Sequence, residues 1–204
     1  MSRGKTSTKS ASPKTDAAPT LVFRDSQQWE TWLGKNHKSS TGLWIKFAKK
    51  DSGLQSVTHK EVLEVALCYG WIDGQKRSDT AQTWLQKFVP RGRRSIWSKI
   101  NREAALGLIE CGRMKLPGLA EVERAKQDGR WAAAYAGQKT ATVPADLQAA
   151  LDRNSKAKNF FTTLDSKNRY AVLFRIHTAK KAETRARRIE QFVGMLARGE
   201  KLHP

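Results

Sequence analysis

Between Thr58 and Gly70 runs a helical signal with almost no polar face. Val62, Leu63, Val65, Ala66, Leu67 and Tyr69 surround its axis, Thr58 and Glu61 carry a capping-box pairing at its start, and Gly70 ends it. A helix that is apolar nearly all round must be enclosed by other elements, so it takes a central place and the rest of the chain supplies the layers around it. A chain of 204 residues with seven tryptophans can do this, because each indole buries a large area and several fall in the middle of the sequence.

The surrounding layers are legible from periodicity. Leu21-Val22-Phe23 opens the folded part, and Asp25 or Ser26 caps a helix carrying Trp29, Trp32 and Leu33 on one face. In Leu43-Trp44-Ile45-Lys46-Phe47, Leu43, Ile45 and Phe47 alternate with Trp44 and Lys46, which is the period of a half-buried strand. Extended pieces at Trp71-Ile72-Asp73 and from Thr83 to Val89, joined by Gly74 to Thr80, complete a small antiparallel sheet, and Pro90 stops the second. Ser98 caps a helix with Ala104, Ala105, Leu108 and Ile109 inside, and Pro117 begins another that Gly129 closes. Apolar periodicity lapses from Gly137 to Val143. Beyond it come helices marked by Leu147 and Leu151, by Phe160, Phe161 and Leu164, by Tyr170, Leu173, Phe174 and His177, and by Ile189, Phe192, Val193 and Leu196.

The expected fold class is therefore α+β: a small antiparallel sheet with packed helices, followed by a C-terminal helical module. The expected division is a disordered basic tail over 1–19, an α+β core over 20–136 and the helical module over 137–204. The tail has no large aliphatic residue after Met1 and Asp16 as its only acid, so it cannot bury enough to order itself.

A formal charge of +19 with a pI near 10.3 far exceeds what solubility requires, so the surface suits an anionic partner such as nucleic acid, an acidic membrane surface or an anionic metabolite. Cys68 and Cys111 lie far apart, which is neither a disulfide framework nor a metal spacing and fits a reducing cytoplasm. No apolar run is long enough to span a bilayer, and the first twenty residues lack a secretory signal's apolar stretch. His37, His59, His177 and His203 are scattered, and there is no nucleophile elbow, P-loop or dinucleotide fingerprint. No cofactor or metal is expected.

The densest polar constellation is Gly70-Trp71-Ile72-Asp73-Gly74-Gln75-Lys76, followed by Pro90-Arg91-Gly92-Arg93-Arg94-Ser95-Ile96-Trp97-Ser98-Lys99-Ile100-Asn101. Arginine forks bind carboxylate or phosphate in two-pronged fashion, glycines allow close backbone approach, and Ser95 and Ser98 lie near a helix N-terminus that favours an anion. Trp71, Asp73, Arg91, Arg94, Ser95, Trp97, Lys99 and Asn101 are thus candidate ligand-binding residues, with Arg130 and Trp131 as a further wall. The competing reading makes Trp71 and Trp97 core, pairs Asp73 with an arginine and leaves the serines as caps. In the last helix Ala182, Ala186, Ile189, Val193 and Leu196 form the inner stripe, while Arg187 and Arg198 fall opposite. Arg185 lies within that stripe, and a charge there needs a carboxylate or an anionic ligand. Asp73 is the first candidate for its protein partner.

Several stretches together resemble the YdeI/OmpD-associated, or bacteriocin-protection, family. They are Ala66 to Gly74, Pro90-Arg91 with Ser95 to Lys99 and Asn101, Gly129-Arg130-Trp131, and Ala179-Lys180 with Glu183 to Ile189. The likeness covers about Phe23 to Pro204. It implies an α+β core followed by a helical module in a bacterial cytoplasmic protein, and a link to bacteriocin or antimicrobial-peptide tolerance. It brings no catalytic residues.

Three functional readings follow. A non-enzymatic stress-tolerance protein binds an anionic ligand or nucleic acid at the Trp/Arg centre or basic surface. An enzyme acts on a small anionic metabolite in a cavity lined by Asp73, Arg91, Ser95, Trp97 and Asn101. A scaffold binds protein through exposed tryptophans.

Overall fold

The computed structural model describes residues 18–204, and the expectation of a disordered tail falls outside the described residues up to position 17. Just before the first strand the Pro19 carbonyl accepts from the Trp44 amide at 2.8 Å. The described chain divides into two units. One holds the residues up to Ala66 together with Trp71–Pro90; the other holds Leu67–Gly70 and Arg91–Pro204.

In the first unit, β1 (Thr20–Val22), α1 (Ser26–Asn36) and β2 (Leu43–Ala48) form a crossover, so β1 and β2 lie parallel. Asp25 is the cap of α1, accepting from the Gln28 amide at 2.8 Å. β2 then pairs antiparallel with β4 (Thr83–Pro90), and β4 with β3 (Trp71–Ser78), giving the order β1-β2-β4-β3. The α+β class is as expected, with a sheet that is mixed because β1 joins its edge in parallel. The expected connection over Gly74 to Thr80 is corrected: β3 continues to Ser78 across an irregularity between Asp73 and Lys76. An edge strand needs no apolar alternation there, because Lys76 and Arg77 lay their chains over Trp84 and Trp44.

The helix expected at the centre is α2 (His59–Cys68), begun by the Thr58/Glu61 box, in which each residue's side chain accepts from the other's amide. Val62, Val65 and Ala66 are buried in the first unit, where Trp29 donates to the Val62 carbonyl at 3.0 Å and meets Phe23, Trp32, Trp71 and Phe88. The last turn of α2 and Gly70 belong to the second unit and pass close to α4 (Leu116–Gln127). A Cβ on Gly118 would stand 2.4 Å from the Cys68 carbonyl, and Gly70 takes a φ of +72° beside Pro117. Only glycine permits both contacts.

The second unit also contains α3 (Lys99–Glu110), capped by Ser98, and α5 (Ala145–Asp152), α6 (Ser155–Thr163), α7 (Ser166–His177) and α8 (Ala182–Ala197). Leu147, Leu151, Phe161, Leu173, Ile176, Ile189, Phe192 and Leu196 form the shared core of α5–α8. Asn154 and Asp165 cap α6 and α7. Among the described residues no helix is long and apolar enough to cross a membrane.

Candidate functional site

The seven tryptophans all lie among the described residues, and none is exposed: Trp29, Trp44, Trp71 and Trp97 are buried, and Trp32, Trp84 and Trp131 half-buried. A scaffold reading that needs exposed indoles therefore lacks its surface.

Trp71 and Asp73 belong to the first unit. Trp71 is packed edge-on against Trp29 and Trp32, and its indole N–H finds no acceptor among the described residues. Asp73 faces His59, with Oδ2 to Nε2 at 3.5 Å.

The remaining candidates belong to the second unit, where several are committed to one another. Buried Arg91 stacks on Trp97 at 3.7 Å and donates to the Ile96 carbonyl, while Trp131 meets Trp97 edge-on at 4.8 Å. Arg130 is buried as well. Its guanidinium reaches Glu121 at 2.8 Å, Asp128 at 2.7 Å and the Ser95 carbonyl at 2.9 Å, and Asp128 is held below the usual carboxylate range chiefly by that hydrogen bond. Such a network orders the loop from Gly92 to Trp97 more directly than it offers a ligand a free fork. The Ser95 hydroxyl accepts from the Gly92 amide, Asn101 gives its amide to the Ser98 cap, and Arg94 is exposed.

Arg185 has a partner, but it is not Asp73. Asp146, at the start of α5, takes both Nε (2.6 Å) and Nη2 (2.9 Å), and Nη1 donates to the Ile176 carbonyl at 3.0 Å. Arg188 donates to the Arg175 carbonyl, so two arginines of α8 bond the last-turn carbonyls at the negative dipole end of α7. Arg187 and Arg198 are exposed, as expected of positions opposite the apolar stripe. Ala182 and Ala186 are exposed too, contrary to the expected inner stripe. They form one side of an open groove of about 630 Å³ with Ala150, Ile189 and Val193, because the short α5 does not cover the first turns of α8.

Two candidates do converge on a cavity. Lys99, at the start of α3, and Arg185 both line a chamber of about 290 Å³ in the second unit. Its walls are aromatic: Tyr135 meets Phe174 edge-on at 5.0 Å, and Tyr170 lies 5.9 Å from Phe174. The Lys99 amide and the Tyr170 hydroxyl bond to the carbonyls of Tyr135 and Ala136, fixing the mouth of α3 against this wall. Burial, with a smaller contribution from Tyr135, keeps the Tyr170 phenol above its ordinary value and hence neutral. His177 completes the lining, its Nε2 3.3 Å from the Ala133 carbonyl. Asp146 neutralises Arg185, and among the described residues no carboxylate pairs with the Lys99 ammonium, which leaves it as the chamber's uncompensated charge.

Tyr170, Phe174 and His177 read from sequence as a packing stripe at helical spacing, and Tyr135 carried no signal. The segment from Gly137 to Val143, where apolar periodicity lapses, supplies Ala141 and Thr142 to this lining. A lapse in periodicity beside an aromatic stripe was the one available clue.

Comparison with family models matches residues 140–199 to the family described as bacteriocin-protection, YdeI or OmpD-associated, and residues 21–121 to a domain of unknown function, DUF8412. Neither the curated proteins nor the solved structures give a match.

Proposed function

We propose that this chain, whose residues 140–199 match the family described as bacteriocin-protection, YdeI or OmpD-associated, is a non-enzymatic binding protein for a small organic anion carrying an apolar or aromatic part. The observation that carries this reading is the convergence of the Lys99 ammonium with Tyr135, Tyr170 and Phe174 on one chamber of about 290 Å³. An ammonium without a carboxylate partner at the rim of an aromatic chamber attracts an anion, and the rings remove the ligand's apolar part from water. Arg185, locked on Asp146 but retaining N–H groups, orients the anionic end without adding net charge. Tolerance of bacteriocins or related stress is the physiological setting that the family's description suggests. Cys68 and Cys111, neither held in a disulfide among the described residues, suit a reducing cytoplasm.

Calorimetric titration of the full chain with benzoate, phenyl phosphate and inorganic phosphate tests the reading. The two aromatic anions bind, and inorganic phosphate binds more weakly. Lys99→Gln weakens all three, and Phe174→Leu weakens only the aromatic pair. Binding indifferent to Lys99→Gln, or no binding of any probe, removes the proposal.

A further inference from the structure

A second anion-binding feature lies in the first unit. Lys49 and Lys50 follow β2, Lys76, Arg77 and Ser78 end β3, and Trp84 of β4 lies between them, together lining an open groove of about 540 Å³. The register explains the gathering: Trp84 is opposite Ser78 on one side and Phe47 on the other, so both neighbouring strands run out beside it.

Among the described residues Lys49, Lys50 and Lys76 form no salt bridge, while Arg77 lies within the field of Asp79. Lys49 donates to the Thr80 carbonyl at 2.9 Å, Lys76 stands 4.1 Å over the Trp84 ring and Arg77 stands 4.1 Å over the Trp44 ring. The neighbouring acid, Asp79, is already held by Thr83 and Lys46. The three lysines, unpaired along one groove, form an electrostatic track for a polyanion, and Arg77, over Trp44 on the other face of the sheet, adds to the positive field. Trp84 adds chemistry that a bare phosphate site lacks. Its indole is half-buried and braced by Phe47, stacked at 4.6 Å, while the Lys76 chain covering it is flexible and exposed.

We infer that this groove binds single-stranded nucleic acid: one base stacks on Trp84 in place of the Lys76 ammonium, and Lys49, Lys50 and the displaced Lys76 take successive phosphates. Charge that tracks a backbone beside an aromatic face is the combination by which single strands are held without sequence preference. A duplex hides its base faces, and a half-buried indole cannot wedge into a lipid surface, so neither alternative uses Trp84.

Fluorescence anisotropy of the full chain tests this, using a labelled oligothymidylate, a duplex of equal length and phosphatidylserine vesicles over a salt series. The expected result is tighter binding of the single strand than of the duplex. Lys49→Gln/Lys50→Gln/Lys76→Gln, all at exposed positions, lowers single-strand affinity at least tenfold. It also flattens the salt dependence by roughly 2 in log–log slope, about 0.7 per lost phosphate contact. Trp84→Leu, which keeps an apolar contact on Phe47, weakens the single strand and not the duplex; matched far-UV spectra establish that each variant is folded. Lys99→Gln, which tests the chamber of the second unit, leaves oligonucleotide binding unchanged. Full affinity in the triple variant overturns the inference. So does equal binding of strand and duplex with no effect of Trp84→Leu, or binding to vesicles alone.

Discussion

Replacing Glu121 by Gln asks whether Arg130 is a ligand-binding fork or an internal brace. The Glu121 and Arg130 side chains are 4% and 3% exposed and meet at 2.8 Å, so neither charge can recover its water while the protein stays folded. Removing one partner of such a buried pair costs about 3–5 kcal/mol. Arg130 keeps Asp128 and the Ser95 carbonyl, and Arg124, the second partner of Glu121, is 44% exposed and rehydrates, which places Glu121→Gln near the lower end. A loss of about 3 kcal/mol lowers the melting temperature of a chain of this size by roughly 6–12 °C. Urea unfolding followed by far-UV circular dichroism measures it. Arg130→Met should lose a similar amount, and the double variant should lose less than the sum by about 1 kcal/mol or more, because the two side chains interact directly. If Glu121→Gln stays within about 1 kcal/mol of the parent while Arg130→Met weakens phenyl phosphate binding, the brace assignment is refuted.

Gly118→Ala places a methyl group 2.4 Å from both the Cys68 carbonyl and the Met114 sulfur, and the backbone carbonyl cannot swing aside. A loss of about 2 kcal/mol or more is expected by urea titration. Arg185 holds the Asp146 carboxyl below its ordinary value, so the folded form resists protonation more than the unfolded chain does. The stability from this pair is fully present above about pH 4, the unfolded carboxylate value, and is lost as pH falls through the lower folded value. Asp146→Asn should remove that part of the acid-limb slope in melts recorded over pH, and an unchanged slope would contradict the pairing. Cys111 is exposed and Cys68 buried, so a thiol reagent should modify one cysteine at once and the second only on unfolding.

Local rules carried most of the architecture. The Thr58/Glu61 box and the Asp25 and Ser98 caps each depend on neighbours within a few residues, so they could be read directly from the order of amino acids; the alternation in Leu43 to Phe47 marked the strand but not the burial of Trp44, which Arg77 of β3 covers. The requirement that Arg185 have a partner was equally legible, since a charge on an apolar stripe is costly wherever the helix lies. Which carboxylate meets it was not, because Asp146 and Asp73 are equivalent in composition and only the packing of α5 against α8 brings one within 2.6 Å. The same limit applies to Arg130, committed to Glu121 by a contact that no spacing announces, and to β3, whose polar second half pairs because β4 is available beside it. Nor could sequence alone bring Lys99 together with Tyr135, Tyr170 and Phe174. They come from separate segments, and their cavity exists only where those segments pack without filling the space between them.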